Sequence, residues 1–301
     1  MSTDPAASKR QAFRDGLAAP KPFVAVGAHD ALTAQLVGSY GFDAVWISGF
    51  GVATMAHALP DLNLTTMTET LEAAIRGDRA TDLPVVADCD NGFGGLTNLV
   101  RTVVEYERAG IAAICIEDNL FPKRNSLYQG QSKRDLIPTR EQARRLKAAV
   151  EGKDSESFVV IARVEALIAG HGVEAAMERA TAYSDAGADA ILIHSKDKTL
   201  TEITGFLEAW HAAGMTKPLV AVPTLFPDYT ADELHQKGFS MVILANQPMR
   251  AAVKAMEETL EVLDKERKPA AADPTIASVN HIFDLVHTTE TIQAEEADEE
   301  G

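Results

Sequence analysis

The chain has 301 residues, 46% of them hydrophobic and 24% charged, which is enough apolar material for a full core and most simply one large α/β domain. A formal net charge of -16 would repel a phosphate backbone or an anionic bilayer, so neither nucleic acid nor membrane is expected as a partner. No apolar leader opens the chain and no apolar run reaches bilayer length, which gives a cytoplasmic location as the expectation.

Residues 1–21 read as a polar N-terminal segment with one short helix near Gln11 to Leu17. From there short β-branched runs alternate with stretches of helical period. The strands fall at Phe23–Val26, Ala44–Ser48, Val85–Asp88, Ala113–Glu117, Val159–Arg163, Ala190–His194, Leu219–Val222 and Met241–Leu244. The helices fall at Ala31–Tyr40, Glu69–Arg76, Asn98–Ala109, Arg140–Glu151, Val173–Ala186, Leu200–Ala213, Ala231–Lys237 and Met249–Glu266. Gly41, Gly110, Gly187, Gly214 and Gly238 each follow a helix where a left-handed residue would end it. Eight such βα units over residues 22–267 predict a (β/α)8 TIM barrel, and no GxGxxG turn argues for an open nucleotide-binding sheet instead.

Residues 268–288 read as a linker followed by one more amphipathic helix from Ile276 to Val286. Its apolar residues Ile276, Val279, Ile282, Phe283 and Val286 share a face. A tethered helix of this kind needs a groove, either on its own barrel or on a neighbouring subunit, and the second choice implies an oligomer. Residues 289–301, with Glu295, Glu296, Asp298, Glu299 and Glu300, read as a disordered acidic tail. Cys89 and Cys115 have no metal or redox spacing and read as reduced core thiols.

In a barrel, chemistry gathers at the carboxyl ends of the strands, and here those ends are polar. They carry Ser48 and Gly49, Asp88 and Asp90, Glu117 and Asp118, Arg163 and Glu165, His194 and Ser195, Thr224, and Asn246. Asp88 and Asp90 are two apart on a strand and should face the same way, with Cys89 opposite. Together with Glu117 they make three converging carboxylates, costly without a cation, and all-oxygen ligation selects Mg2+, with Mn2+ able to substitute. Arg163 offers a planar fork to a carboxylate or phosphate and His194 a further donor. After Glu117 and Asp118, the stretch Pro122, Lys123, Arg124, Asn125 and Ser126 is suited to close over an anion as a mobile lid.

On these residues the chain resembles the phosphoenolpyruvate mutase branch of the isocitrate lyase superfamily. That branch carries Glu-Asp-Lys, five residues, then Asn-Ser; here Glu117, Asp118 and Asn119 precede Leu120 to Arg124 and then Asn125 and Ser126. Asn119 stands where mutases have lysine. The resemblance runs from Val26 to Val286 and takes in the segments Asp88–Gly94, Ala162–Ala166, Ala188–Ser195 and Val222–Thr224.

The resemblance implies that Asp88 approaches Mg2+ directly while Asp90 and Glu117 hold its waters. It implies that Ser48 and Gly49, beside Trp46 and Phe50, bind the pyruvyl carboxylate and carbonyl. It makes Asp61 the family's catalytic aspartate, sets Arg163, His194, Ser48 and Asn125 around the phosphoryl group, and counts Lys123 among the catalytic residues and Ser126 and Ser195 among those that bind substrate. The implied substrate is a small anion, phosphoenolpyruvate or phosphonopyruvate, and the implied assembly is a homodimer or homotetramer with the C-terminal helix exchanged between subunits. The superfamily's lyases carry Cys and His in the lid, in a Lys-Arg-Cys-Gly-His pattern, whereas Lys123 and Arg124 here are followed by Asn125, Ser126 and Leu127, which argues against carbon-carbon cleavage. Phosphonopyruvate hydrolase is the nearer rival, an oxaloacetate or dimethylmalate-type activity a weaker one, and a catalytically dead binding barrel the reading from a different class.

Overall fold

In the computed structural model, which describes residues 4–128 and 135–299, eight parallel strands close on themselves in sequence order, with the last pairing back to the first. They are β1 (Phe23–Ala28), β2 (Ala44–Ile47), β3 (Val85–Asp88), β4 (Ala113–Glu117), β5 (Val159–Val164), β6 (Ala190–Ile193), β7 (Leu219–Ala221) and β8 (Met241–Leu244). The helices are α1 (Pro5–Ala18), α2 (Ala31–Gly38), α3 (Gly49–His57), α4 (Met67–Arg79), α5 (Leu96–Arg108), α6 (Thr139–Glu151), α7 (Gly172–Asp185), α8 (Thr201–Ala212), α9 (Ala231–Gln236), α10 (Gln247–Glu266), α11 (Val279–Leu285) and α12 (Thr288–Glu299). This is the (β/α)8 barrel that the alternation predicts. Among the described residues no helix is long and apolar enough to cross a membrane.

The strands read as continuous apolar runs because both faces are buried. Successive residues divide strictly between two cores. Ala44 and Trp46, Val86, Cys115, Ile161, Leu192, Val220 and Ile243 fill the barrel interior. Val45 and Ile47, Ala87, Ile114, Val160, Ile191, Ala221 and Val242 pack outward against the helices. Cys89 belongs to the outer core and Cys115 to the inner one, both unpaired with each other; burial pushes both thiols well above the ordinary cysteine range, which disfavours the reactive thiolate.

Several elements depart from the sequence reading. The N-terminal segment is not merely polar: α1 spans 14 residues, and its Phe13 and Leu17 are buried in the inner core. Phe13 meets Phe23, the first residue of β1, edge-on with ring centroids 5.3 Å apart, so α1 closes the amino end of the barrel. Arg14 pairs with Asp189 at 2.7 Å and Lys9 with Asp78 at 2.9 Å, fixing α1 across that end. Gly110, Gly187, Gly214 and Gly238 do take positive φ, but Gly41 does not, because α2 already ends at Gly38. Helix α3 was not expected at all, since two of its first three residues are glycine; it forms because the Ser48 hydroxyl caps it, accepting from Gly51 N–H at 3.1 Å.

The first compact unit ends at Met249 rather than near residue 267. Beyond it α10 continues as an exposed helix of which Met249 is the one buried residue. The second unit also holds two single-turn 3-10 helices, Pro269–Ala271 and Asp273–Thr275, then α11 and α12. The predicted helix from Ile276 is shorter, starting at Val279 behind a Ser278 cap whose hydroxyl accepts from His281 N–H at 3.1 Å. The tail expected to be disordered is instead helical over Thr288–Glu299, consistent with its glutamate, glutamine and alanine content. The extreme ends of the predicted N-terminal segment and tail, residues 1–3 and 300–301, lie outside the described residues.

Candidate active site

The inner face continues past the strand ends and selects the site. Counting on by twos from the inner core places Ser48 after Trp46, Asp88 after Val86, Glu117 after Cys115, Arg163 after Ile161, His194 after Leu192 and Thr224 after Val222. All line one chamber of about 60 Å3 at the carboxyl end of the barrel, together with Trp46, Phe50, Asp61, Lys123, Asn125, Ser126 and Asn246. Ser195 has the opposite parity. Its hydroxyl donates to Glu202 at 2.5 Å and accepts from Asp197 N–H at 2.9 Å, so it braces the start of α8 and does not reach the chamber as the resemblance implied.

Asp90 corrects the strand argument. Strand β3 stops at Asp88, and Asp90 lies beyond it with φ 48°, outside the pleat that was expected to orient it. Its N–H donates to Asp88 Oδ1 at 3.2 Å, and the turn still brings both carboxylates to one spot. A Cβ at Gly49 would lie 3.3 Å from Asp88 Oδ2 and 3.3 Å from Asp90 Oδ1, so a side chain there would press on both carboxylates. Glu117, 2% exposed, completes the acidic group. Burial raises its pKa to about 8, only partly offset by Lys123 and Arg163, and burial likewise lifts Asp90 to about 6 against the pull of Lys123.

Among the described residues no three His, Cys, Asp or Glu side chains converge as a fully protein-ligated ion would require. The donor set nevertheless fits Mg2+, which takes one or two carboxylates directly and keeps several waters. Asp88 would be the direct ligand, with Asp90 and Glu117 reached through water.

Opposite the acidic group sits a cationic fork. Arg163 Nε donates to Glu165 Oε1 at 2.5 Å, its Nη2 donates to Ser126 Oγ at 2.6 Å, and its Nη1 lies 3.5 Å from Glu117 Oε2. His194 Nδ1 is 3.5 Å from Arg163 Nη2 and 3.8 Å from Glu165 Oε1. Glu165 is fully buried. Burial opposes its charge, yet Arg163 and then His194 and Ser126 hold its carboxyl below the usual range, so it stays ionised and aims the guanidinium. Its own backbone N–H donates to Asp118 Oδ1 at 2.9 Å. Asp118, of outward parity, is held in turn by Arg179 at 2.9 Å and by the Tyr183 hydroxyl at 2.8 Å on α7. Sequence reasoning placed Glu165 on the rim without giving it a role; the signal was its spacing of two from Arg163.

The lid residues are drawn down onto the site. Lys123 is 3% exposed, and its ammonium bridges Asp61 Oδ1, at 2.9 Å, and Asp90 Oδ1. Burial opposes the charge, but Asp90 and Asp61 hold it well above the ordinary lysine range. Asn125 Nδ2 donates to Asp61 Oδ2 at 2.7 Å, and Ser126 Oγ donates to Glu165 Oε2 at 2.8 Å. The loop leaves β4 and returns through an antiparallel bridge between Asn119 and Leu136. At the stem, Asn119 Nδ2 donates to Glu117 Oε1 at 2.9 Å, a neutral donor where mutases carry a lysine. Asn63, in the loop between α3 and α4, was missed entirely. Its Oδ1 accepts from Lys123 N–H at 2.6 Å and its Nδ2 donates to Asp90 Oδ2 at 2.9 Å.

The site can therefore hold a small polyanion between a hard cation and a guanidinium, under a lid tied down by carboxylates. A family model described as phosphoenolpyruvate phosphomutase matches residues 13–263. The chain is 39% identical over 279 residues to a phosphonopyruvate hydrolase of Variovorax sp. (strain Pal2), covering 92% of this chain and 94% of that protein. It superposes on the crystal structure of a phosphoenolpyruvate phosphomutase from Streptomyces platensis subsp. rosaceus with TM-score 0.91 at 39% identity, covering 96% of this chain and 98% of that one. The crystal structure of a phosphonopyruvate hydrolase complex with oxalate and Mg2+ gives TM-score 0.87 at 38% identity, again covering 96% and 98%.

Proposed function

The chain belongs to the phosphoenolpyruvate phosphomutase family of the phosphoenolpyruvate mutase/isocitrate lyase superfamily, and on that footing we propose that it interconverts phosphoenolpyruvate and 3-phosphonopyruvate. The observation that carries the proposal is the lid. Asn125 and Lys123 are both bound to Asp61 over a chamber of about 60 Å3, and no thiol stands among the lid residues from Lys123 to Leu127. A few water-sized sites fill such a space, which suits a three-carbon acid bearing one phosphoryl group better than a branched tricarboxylate. The missing thiol removes the proton donor that carbon-carbon cleavage needs.

In the forward direction the enol O–P bond breaks, its electron pair stays on the pyruvate enolate, and C3 then forms the P–C bond; no proton enters or leaves. Bound Mg2+, or Mn2+, would supply positive charge to the carboxylate and enolate oxygens. Arg163, locked by Glu165, is aimed at the phosphoryl oxygens with His194 beside it, so their positive charge stabilises the metaphosphate-like group without reorganising. Both Asp61 oxygens are held, by Lys123 and by Asn125, which supports an orienting role rather than attack on phosphorus. Ser48 and the start of α3, with Trp46 and Phe50 at the wall, form the place for the pyruvyl end.

Phosphonopyruvate hydrolysis is the second reading. It is favoured by Asn119, whose neutral amide replaces the mutase lysine beside Glu117, and by equal identity to proteins of either name. Phosphorus NMR of the purified protein with phosphonopyruvate and Mg2+ decides between them. Appearance of phosphoenolpyruvate is expected; pyruvate and phosphate as the sole products would give the hydrolase, and no turnover would leave a binding barrel. In the same assay Asn125→Ala should slow isomerisation about 10²-fold, because a group that shields and positions the reacting phosphoryl is lost, and should raise the share of free phosphate. Isomerisation by the variant at the wild-type rate would remove Asn125 from the lid's chemistry.

A further inference from the structure

We propose that Asn63 is a positioning residue that latches the lid, tying the lid backbone and the Asp90 carboxylate to each other through one side-chain amide. Three lid contacts act through side chains of the lid itself, those of Lys123, Asn125 and Ser126. Asn63 differs because it grips the main chain. Its Oδ1 accepts from Lys123 N–H at 2.6 Å, a contact that uses no side chain of the lid. The other end of the same amide donates to Asp90 Oδ2 at 2.9 Å, while Asp90 Oδ1 takes the Lys123 ammonium.

Asp90, Asn63 and Lys123 therefore form a closed three-membered set of contacts: carboxylate to amide, amide to lid backbone, lid side chain to carboxylate. An amide supplies the acceptor and the donor on two separate atoms held in one plane, whereas an ionised carboxylate only accepts and a hydroxyl must do both through a single oxygen. The backbone supports the assignment. Asn63 takes φ 58°, the left-handed region that asparagine tolerates better than other residues with side chains, and this turn carries its amide between the two partners. The lid consequently settles only when Asp90 is held in its place among the acidic residues. Closure is thereby linked to the order of the cation-binding carboxylates.

The effect on products rests on the phosphoryl-transfer reading above, but the latch itself does not, and the test separates them. Asn63→Gly is the informative variant, because glycine keeps the left-handed turn without strain while deleting both hydrogen bonds. Hydrogen exchange followed by mass spectrometry on the peptide spanning Asn119–Leu127 should show the Lys123 amide exchanging about tenfold faster than in the wild type, with exchange in the barrel strands unchanged. In the phosphorus NMR assay the same variant should release a larger fraction of phosphonopyruvate as pyruvate and phosphate, with KM held within about twofold. Exchange at Lys123 no faster than in the wild type would overturn the latch. If exchange rises but product shares stay fixed, the link to chemistry is wrong. A wild-type protein that forms no phosphoenolpyruvate, with exchange still faster in the variant, would sink the proposed reaction and leave the latch standing.

Discussion

Glu117 shows how a single buried carboxyl sets the conditions under which this site works. Burial raises its pKa from 4.5 to about 8, so without a divalent cation the folded protein keeps a proton that the unfolded chain has already released. The sign follows directly: the stability supplied by the neutral form is complete below the unfolded value and is lost as pH rises through about 8. A cation whose bound waters are held by the ionised carboxylate must displace that proton. We expect the Mg2+ affinity of the wild type, measured by calorimetry without substrate, to rise about tenfold between pH 6 and pH 7, and expect Glu117→Gln to flatten that slope. An affinity that is level across this interval would mean that Glu117 is already ionised. Residues of this kind are legible in the amino-acid sequence because strand alternation alone points Ser48, Asp88, Glu117, Arg163 and His194 inward. Asp90, Ser195 and Asn63 are not: a left-handed turn rescues the first, parity turns the second away, and the third depends on a loop path that no periodicity encodes.

Among the elements, α1 was legible only in its second half, and it carries the clearest stability prediction. Its sequence mixes alanine with polar residues, and only Phe13 and Leu17 are buried, too few to stand out as a helical stripe. Their targets are nonetheless the inner core. Phe13→Ala should cost about 3–5 kcal/mol in urea unfolding, as for other fully buried phenylalanines, while leaving the chamber at the opposite end intact. A cost below about 1 kcal/mol would show that the amino end of the barrel can collapse around the gap. Helix α3 escaped notice for a related reason. Glycine-rich and capped by Ser48, it exists to bring its first turn to the chamber rather than to satisfy propensity. The strands and the larger helices were legible because two-sided burial leaves no other home for runs such as Val159–Val164.

The molecule as a whole divides into the unit ending at Met249 and the unit that follows it. In the second, Met256, Leu260, Val279, Ile282 and Phe283 are exposed, the kind of apolar surface that suits a contact with another chain. The proposal for this unit is exchange of the C-terminal helix within a homodimer or homotetramer, and truncation after Lys268 tests it. Light scattering should then report a smaller species; an unaltered mass would reject exchange as the basis of assembly. In the first unit, α1 stoppers one end of the barrel, packed side chains fill the middle, and the lid spans the other end. The chamber is thus a cul-de-sac. In the proposed reaction, substrate and product would share that single mouth, so the lid would have to open at least once in each turnover. For the proposed reaction, the rate of that opening would bound kcat from above however fast the chemical step.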